Sequence, residues 1–366
     1  MTSPARKSPP RLAYVVKYYH PMPRISGIIT FTRDLMAELA RHWEIRVITS
    51  RYGPQAPPRE SCDGYEIVRL EGPFPSRAGR EVRRAGVDLI VFGSGFWRPW
   101  YLQPYWELFR AQLGRQAPPV VLTQYTSMSD RARFLLKFLC PRPAAVVTLT
   151  AEEKAAWRRI FPGKIAFIPP GVGPASKSPP PEDFIPPAPG RIRIGYFGHL
   201  QPHKGPDRIL RLVREMKERP VELLLHGEGE MEPQLRELAA GDERIIFQGY
   251  VPNPEPWIRS CRLVVLPYRS AVSVLGYSRA ALEALAAGVP LLTTPTPAVA
   301  PLVEDGVNGY VCRNDKELRG RLNELIENPA RLERLGEGAR SSARDYEIAR
   351  VAGEYLSLFR DIRGKE

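Results

Sequence analysis

The sequence predicts an α/β protein of two doubly wound domains, each a mostly parallel sheet covered by helices on both faces. Three observations predict it. Short runs rich in Val, Ile, Leu and aromatic residues alternate with helical segments along the whole chain, and runs apolar on both faces suit strands buried between helix layers. At 366 residues the chain is too long for one compact core. The stretch "PPGVGPASKSPPPEDFIPPAPG" (169–190) carries nine prolines in twenty-two residues and divides two blocks written in the same strand and helix pattern.

In chain order, the first block offers strands at "LAYVVKY" (12–18), "EIRVITS" (44–50), "YEIVRL" (65–70), "VDLIVF" (87–92), "PVVLTQ" (119–124), "AAVVTLT" (144–150) and "IAFIP" (165–169). The second restarts with "RIRIGYF" (191–197), a helix over 205–218, "VELLLHG" (221–227), a helix over 231–240 and "RIIFQGY" (244–250). There follow a helix over 254–260, "RLVVLPY" (262–268), a helix over 277–287, "VPLLTT" (289–294) and a strand near 309–312. Three helices, over 315–327, 329–342 and 347–362, close the chain. The expected division is a domain over 1–171, a proline-rich linker over 172–190, a domain over 191–346 and a last helix over 347–366. In doubly wound domains ligands sit outside the carboxyl ends of the strands, so function is expected in the loops that follow strands and in a crevice between the two sheets.

Hydrophobic content of 43% and charged content of 25% suit a soluble globular protein. The four cysteines, at 62, 140, 261 and 312, have no metal-ligand spacing, and reduced structural thiols are expected. The N-terminal apolar run is broken by Lys17 after five residues, too short for a signal-peptide core. The longest uncharged run, 284–303, holds four prolines and a glycine and does not read as a membrane helix. The expected location is the cytoplasm, with the inner face of a membrane as a peripheral alternative. Residues 1–171 hold 26 Lys+Arg against 13 Asp+Glu, and residues 172–366 hold 27 against 27, so the first half carries the whole net charge of +13. That asymmetry points to an anionic partner: a membrane surface, an acidic acceptor or nucleic acid, unless it reflects an arginine-rich composition alone. No nucleic-acid-binding motif accompanies it, and nucleic acid is not expected as a partner. Two basic and aromatic stretches, 96–110 and 130–139 (Arg131, Arg133, Lys137), are the candidate contacts, although core packing explains their aromatics equally well.

Three loops of the second block carry chemistry. "YFGHLQPHKGPDRIL" (196–210) sets Gly198, His199, Lys204 and Gly205 at the start of a helix, where amides and a lysine make an anion site. "LLLHGEGEMEPQL" (223–235) has Gly227 and Gly229 but no third glycine at dinucleotide spacing. "PYRSAVSVLGYSRAALEALAAGVP" (267–290) places one carboxylate, Glu283, in an Ala/Leu-rich helix ended by Gly288. Taken alone, Glu283 reads as a solvated helix edge.

In this order the segments "GHLQPHKG", "HGEGE", "FQGYVPNPEPWIRSCRLVVLPY", "ALEALAAGVPLLTT" and "LVEDGVNGYVC" (302–312) resemble the retaining glycosyltransferases of family 4. That family has the GT-B fold of two Rossmann-like domains with a cleft between them. The resemblance covers almost the whole chain. "YYHPMPRISGIITFTRDLMAELARHWEIRVITS" (18–50) looks like the family's opening strand, glycine loop and helix, with Ser26-Gly27 where many members have two glycines. The final segment (346–362) resembles the helix that in this fold crosses back to the first domain.

The resemblance implies transfer of a sugar from a nucleoside-diphosphate sugar to a glycan, lipid-linked or small-molecule acceptor, with retention of anomeric configuration. Glu283 aligns with the glutamate that holds the donor's ribose hydroxyls. Lys204 and His199 are implied as the catalytic pair that holds the leaving diphosphate, His199 standing where members have arginine. Gly27, Gly198, Gly227 and Val251 fall in the donor-binding loops. Gly276, Tyr277, Ser278 and Arg279 line the donor helix start, where loop amides over 276–280 add to the anion site. Leu275 replaces the family's first glutamate of the pair, which contacts the donor sugar; Arg279 offers a substitute for the cation that His199 supplies only when protonated, if it is not simply an exposed helix residue. Arg24, Gln124 and Tyr125 form the implied acceptor side, Gln124 or Tyr125 standing where the family has a histidine. No D-x-D motif occurs, and neither a metal nor another cofactor is expected. The alternative is a nucleotide-sugar or glycan-binding protein that kept the fold without the chemistry.

Overall fold

The computed structural model describes residues 8–20, 27–53, 55–72, 74–94, 118–125, 133, 143–173, 179–270 and 276–364. Arg24, Leu275, Arg131, Lys137 and the stretch 96–110 lie outside the described residues. The chain divides into two compact units, residues 1–171 with 348–366, and residues 172–347.

The first unit is built on an eight-stranded sheet of β1 (Arg11–Val15), β2 (Glu44–Ser50), β3 (Arg59–Cys62), β4 (Tyr65–Leu70), β5 (Leu89–Ser94), β6 (Val120–Gln124), β7 (Ala145–Thr148) and β8 (Lys164–Phe167). Its order is β3-β4-β2-β1-β5-β6-β7-β8, parallel except for the β3–β4 pair. β1 lies centrally, and Leu12, Ala13, Tyr14 and Val15 are fully buried, which is why the run is apolar on both faces. β3 was not expected from its polar sequence. It is the outer arm of a hairpin closed at Cys62 and Tyr65, and the two-residue turn Asp63-Gly64 has positive φ at both positions (48° and 86°), as a type I′ turn requires.

Four helices among the described residues flank this sheet: α1 (Gly27–Leu39), α2 (Phe74–Ala85), α3 (Ala151–Arg158) and, from the chain's end, α10 (Ile348–Arg363). α10 packs on α1, with Phe359 edge-on to Trp43 at 5.5 Å, and Lys164 pairs with Asp361 at 2.6 Å. α2 buries Phe74, Ala78 and Val82 at i, i+4 and i+8. Its other side carries Arg77, Arg80, Arg83 and Arg84, all exposed, within about a third of the helix circumference.

The second unit carries a six-stranded, wholly parallel sheet of β9 (Ile192–Phe197), β10 (Val221–His226), β11 (Ile245–Gly249), β12 (Leu263–Leu266), β13 (Leu291–Thr293) and β14 (Gly309–Val311). The order is β11-β10-β9-β12-β13-β14. The chain runs outward from β9 to β11, then returns to β12 on the other side, so β9 and β12 flank a topological switch point. Its helices are α4 (Pro206–Glu215), α5 (Glu232–Ala239), α6 (Glu255–Arg259), α7 (Arg279–Ala286), α8 (Asp315–Glu327) and α9 (Pro329–Ala343). The proline-rich segment, expected as a linker, groups with this unit. Phe184 packs on Trp257 at 4.7 Å between ring centroids, and Arg193, fully buried, donates to the Ile185 carbonyl (2.6 Å) while pairing with Glu222 (2.5 Å). Glu222 in turn accepts from the Ala188 amide. A buried guanidinium needs its donors satisfied, and the segment supplies an acceptor.

Candidate functional site

At the carboxyl ends of β9 and β10 two glycine turns interlock. Gly198 donates its N–H to the His226 carbonyl (3.1 Å), and a Cβ on Gly227 would lie 2.0 Å from the Gly198 carbonyl oxygen, so only glycine lets the turns meet. The His226 imidazole is pushed down to about 4 by burial and stays neutral at physiological pH. His199 is exposed, and its carbonyl accepts from the Tyr196 hydroxyl (2.9 Å).

Beyond this turn a single 3₁₀ turn, Pro202–Lys204, leads into α4. It is clamped to the end of β12. The Arg269 amide donates to the His203 carbonyl (2.8 Å), the Arg269 guanidinium grips Asp207 with two bonds (2.7 and 2.8 Å), and Gly205 approaches Pro267 too closely for a side chain. The Lys204 ammonium therefore lies at the switch point, 4.0 Å above the centre of the Tyr268 ring. Burial pushes its pKa down to about 8, and no carboxylate among the described residues pairs with it. A half-buried cation held on an aromatic face, beside the start of a helix, is a site for an anion.

The Tyr268 hydroxyl lies 3.1 Å from that of Ser278, the residue before α7. α7 buries Ala281, Leu282, Ala284 and Leu285, which leaves Arg279 and Glu283 on its other side. Arg279 Nε donates to Glu283 Oε1 at 2.7 Å, and the two side chains are 19% and 18% exposed. Two expectations change here. Arg279 is neither a solvated helix residue nor a spare cation, because i, i+4 spacing hands it to Glu283. Glu283 for its part is neither a solvated edge nor a carboxylate without a cation. Of the amides over 276–280, that of Ser278 donates to the Ala298 carbonyl (2.7 Å) and is committed within the fold. Gly276 has a positive φ of 51°, Tyr277 is half-buried and edge-on to Tyr346 at 5.8 Å, and Val251 is half-buried after β11.

Residues 191–328 match the model of the glycosyl transferases group 1, and residues 25–176 match that of glycosyltransferase family 4. The chain is a glycosyltransferase of that family. A D-inositol 3-phosphate glycosyltransferase of Streptomyces griseus is 24% identical over 94% of this chain and 87% of its own. Among solved structures, sucrose-phosphate synthase from Thermosynechococcus elongatus superposes with a TM-score of 0.77 at 16% identity, covering 98% of this chain and all of its own. Anabaena HepE in complex with UDP gives a TM-score of 0.73 at 14% identity over 96% of this chain and all of its own. Likeness at such identities establishes the fold: both structures share the GT-B architecture of two parallel-sheet α/β domains.

Of the residues expected on the acceptor side, Gln124 and Tyr125 are placed differently from expectation. Tyr125 is buried, its hydroxyl 2.6 Å from that of Tyr14 and its pKa raised well above the ordinary value by burial. Gln124 donates to Glu153 (2.7 Å) and accepts from the Trp157 indole. Both hold the first unit together, because a buried amide or phenol must find its partners inside. Arg133, expected on a basic surface, is also turned inward and pairs with Glu153 at 2.7 Å. Gly27 opens α1 and is exposed. Sequence reasoning missed Tyr268, whose signal was an aromatic directly after a buried strand, in "LVVLPY".

Proposed function

We propose that this glycosyltransferase takes its sugar from a nucleoside-diphosphate sugar and transfers it with retention of anomeric configuration, without a metal. The observation that carries the reading is the Lys204 ammonium, half-buried at the switch point and paired with no carboxylate among the described residues. The bond that breaks joins the sugar's anomeric carbon to the diphosphate oxygen, and the electron pair stays with the diphosphate. Lys204, the dipole of the helix it precedes and His199 when protonated oppose that growing charge, and the acceptor's oxygen bonds to the anomeric carbon as its proton passes to the departing diphosphate oxygen. A carboxylate has about four lone-pair directions, so Glu283 can pair with Arg279 and accept from ribose hydroxyls together. The UDP bound to Anabaena HepE and the family's retaining chemistry support the donor class and the stereochemistry. The test is a panel of nucleotide sugars in EDTA, monitored for nucleoside diphosphate release with glycan and lipid-linked acceptors. One donor should turn over. Release from none of them, or only with added magnesium or manganese, would contradict the reading.

We also infer that the first unit meets an anionic surface through α2. Arg77, Arg80, Arg83 and Arg84 are exposed and have no ion-pair partner among the described residues, while Glu81, the one carboxylate on α2, is turned inward to Arg59 and Arg46. No large hydrophobic residue is exposed among this unit's described residues, which favours contact with lipid headgroups over insertion. No helix among the described residues is long and apolar enough to cross a membrane.

A further inference from the structure

Lysine is a flexible four-carbon tether, and a cation without a salt-bridge partner ordinarily samples many rotamers. Lys204 does not have that freedom here: its ammonium is seated on the face of Tyr268. A carboxylate in that place would hold the lysine equally well but would cancel its charge. A ring face holds it and leaves the charge available to a phosphate.

Tyr268 is itself fixed from several directions. It is 2% exposed, and its carbonyl accepts from the Thr294 hydroxyl (2.5 Å). The carbonyl before it, on Pro267, accepts from Arg208 (2.8 Å), and Arg269 after it is locked to Asp207. Its hydroxyl reaches Ser278 at 3.1 Å. The same hydroxyl would stand 4.0 Å from a Cβ on Gly198, within van der Waals range of a side chain there. One side chain thus touches the lysine of the loop before α4 and bonds to the residue that caps α7. Burial pushes the phenol up to about 12, which keeps the ring neutral across the working range.

Resting on the donor-site reading above, we propose that Tyr268 is the positioning residue of that site: its ring aims the Lys204 ammonium at the bound diphosphate.

The test is a double-mutant cycle read by calorimetry, with UDP and GDP as probes and the tighter binder carried forward. Tyr268→Leu should weaken nucleotide binding about tenfold, and Tyr268→Phe, which keeps the face, should stay within about threefold of wild type. In a Lys204→Ala background the Tyr268→Leu loss should shrink to less than about twofold, because the ring then has nothing to aim. Melting curves check that each variant folds, and Tyr268→Met replaces the leucine variant if that one does not. An equal loss in both backgrounds, or a phenylalanine variant as weak as the leucine one, assigns Tyr268 a merely structural role and overturns the inference. If neither nucleotide binds the wild type, or if Lys204→Ala binds as tightly as wild type, the donor-site reading itself fails and the inference goes with it.

Discussion

Raising the pH above 8 should release the nucleotide. Lys204 has a pKa of about 8 in the free protein because burial penalises its charge, against an ordinary lysine value of about 10.4. A diphosphate at the ammonium favours the charged form, so the pKa rises on binding, and affinity falls once free Lys204 loses its proton. Between pH 8 and the bound-state pKa the loss is tenfold per unit, about 1.4 kcal/mol, and at pH 9 it amounts to roughly tenfold relative to pH 7. The nucleotide's own phosphates have finished ionising by then, with a last pKa near 6, and contribute no slope. Calorimetry of UDP or GDP binding at intervals from pH 7 to 9.5 reads this directly. Lys204→Arg, whose guanidinium stays charged, is the control and should flatten the alkaline limb. The ligand-free protein has the opposite trend: the unfolded chain holds the lysine proton that the native state has released, so this group adds stability as pH rises from about 8 toward 10.4. A wild-type affinity that is level from pH 7 to 9.5 would refute the placement of Lys204 at the anion.

Glu283→Gln should weaken nucleotide binding by about 1.5–3 kcal/mol, the usual cost of a lost hydrogen bond to a charged group, while the amide oxygen can still accept from Arg279 and keep the helix pair. Equal calorimetric affinities would return Glu283 to a helix-stabilising partner of Arg279. Reversing Arg77, Arg80, Arg83 and Arg84 to glutamate should abolish co-sedimentation with acidic vesicles at low salt, each arginine contributing about 1 kcal/mol. Wild-type protein that fails to sediment, or sediments as well with neutral vesicles, would leave the charge of α2 without that role.

The two sheets were legible because a strand buried on both faces has to be a short, unbroken apolar run, as "RIRIGYF" and "VELLLHG" are. β3 escaped because an edge strand with one solvated face has no such run. Its only signal is local, the Asp63-Gly64 pair in "ESCDGYE". The proline-rich segment misled for a different reason. Its composition reports a stiff, irregular backbone but not what that backbone rests on, and Arg193 and Trp257, which hold it, come after it in the chain. At the site, loop position was readable: a glycine turn and a lysine after the first strand of the second unit stand at the head of α4. Side-chain partnership was not. Tyr14 meets Tyr125 across 111 residues, and Gln124 meets Trp157 across 33, so two of the three residues expected on the acceptor side are committed to the core. The Arg279–Glu283 pair was within reach, since i, i+4 spacing on one helix predicts it.

Turnover by Lys204→Ala tests the central claim most directly. With the donor identified from the panel, kcat and KM for diphosphate release are compared between wild type, Lys204→Ala and Lys204→Arg at pH 7. Loss of a charge donor aimed at the leaving group should lower kcat about 10²–10³-fold in the alanine variant, with partial recovery in the arginine variant. An alanine variant that turns over at the wild-type rate would contradict the account, because the diphosphate charge would then be held elsewhere.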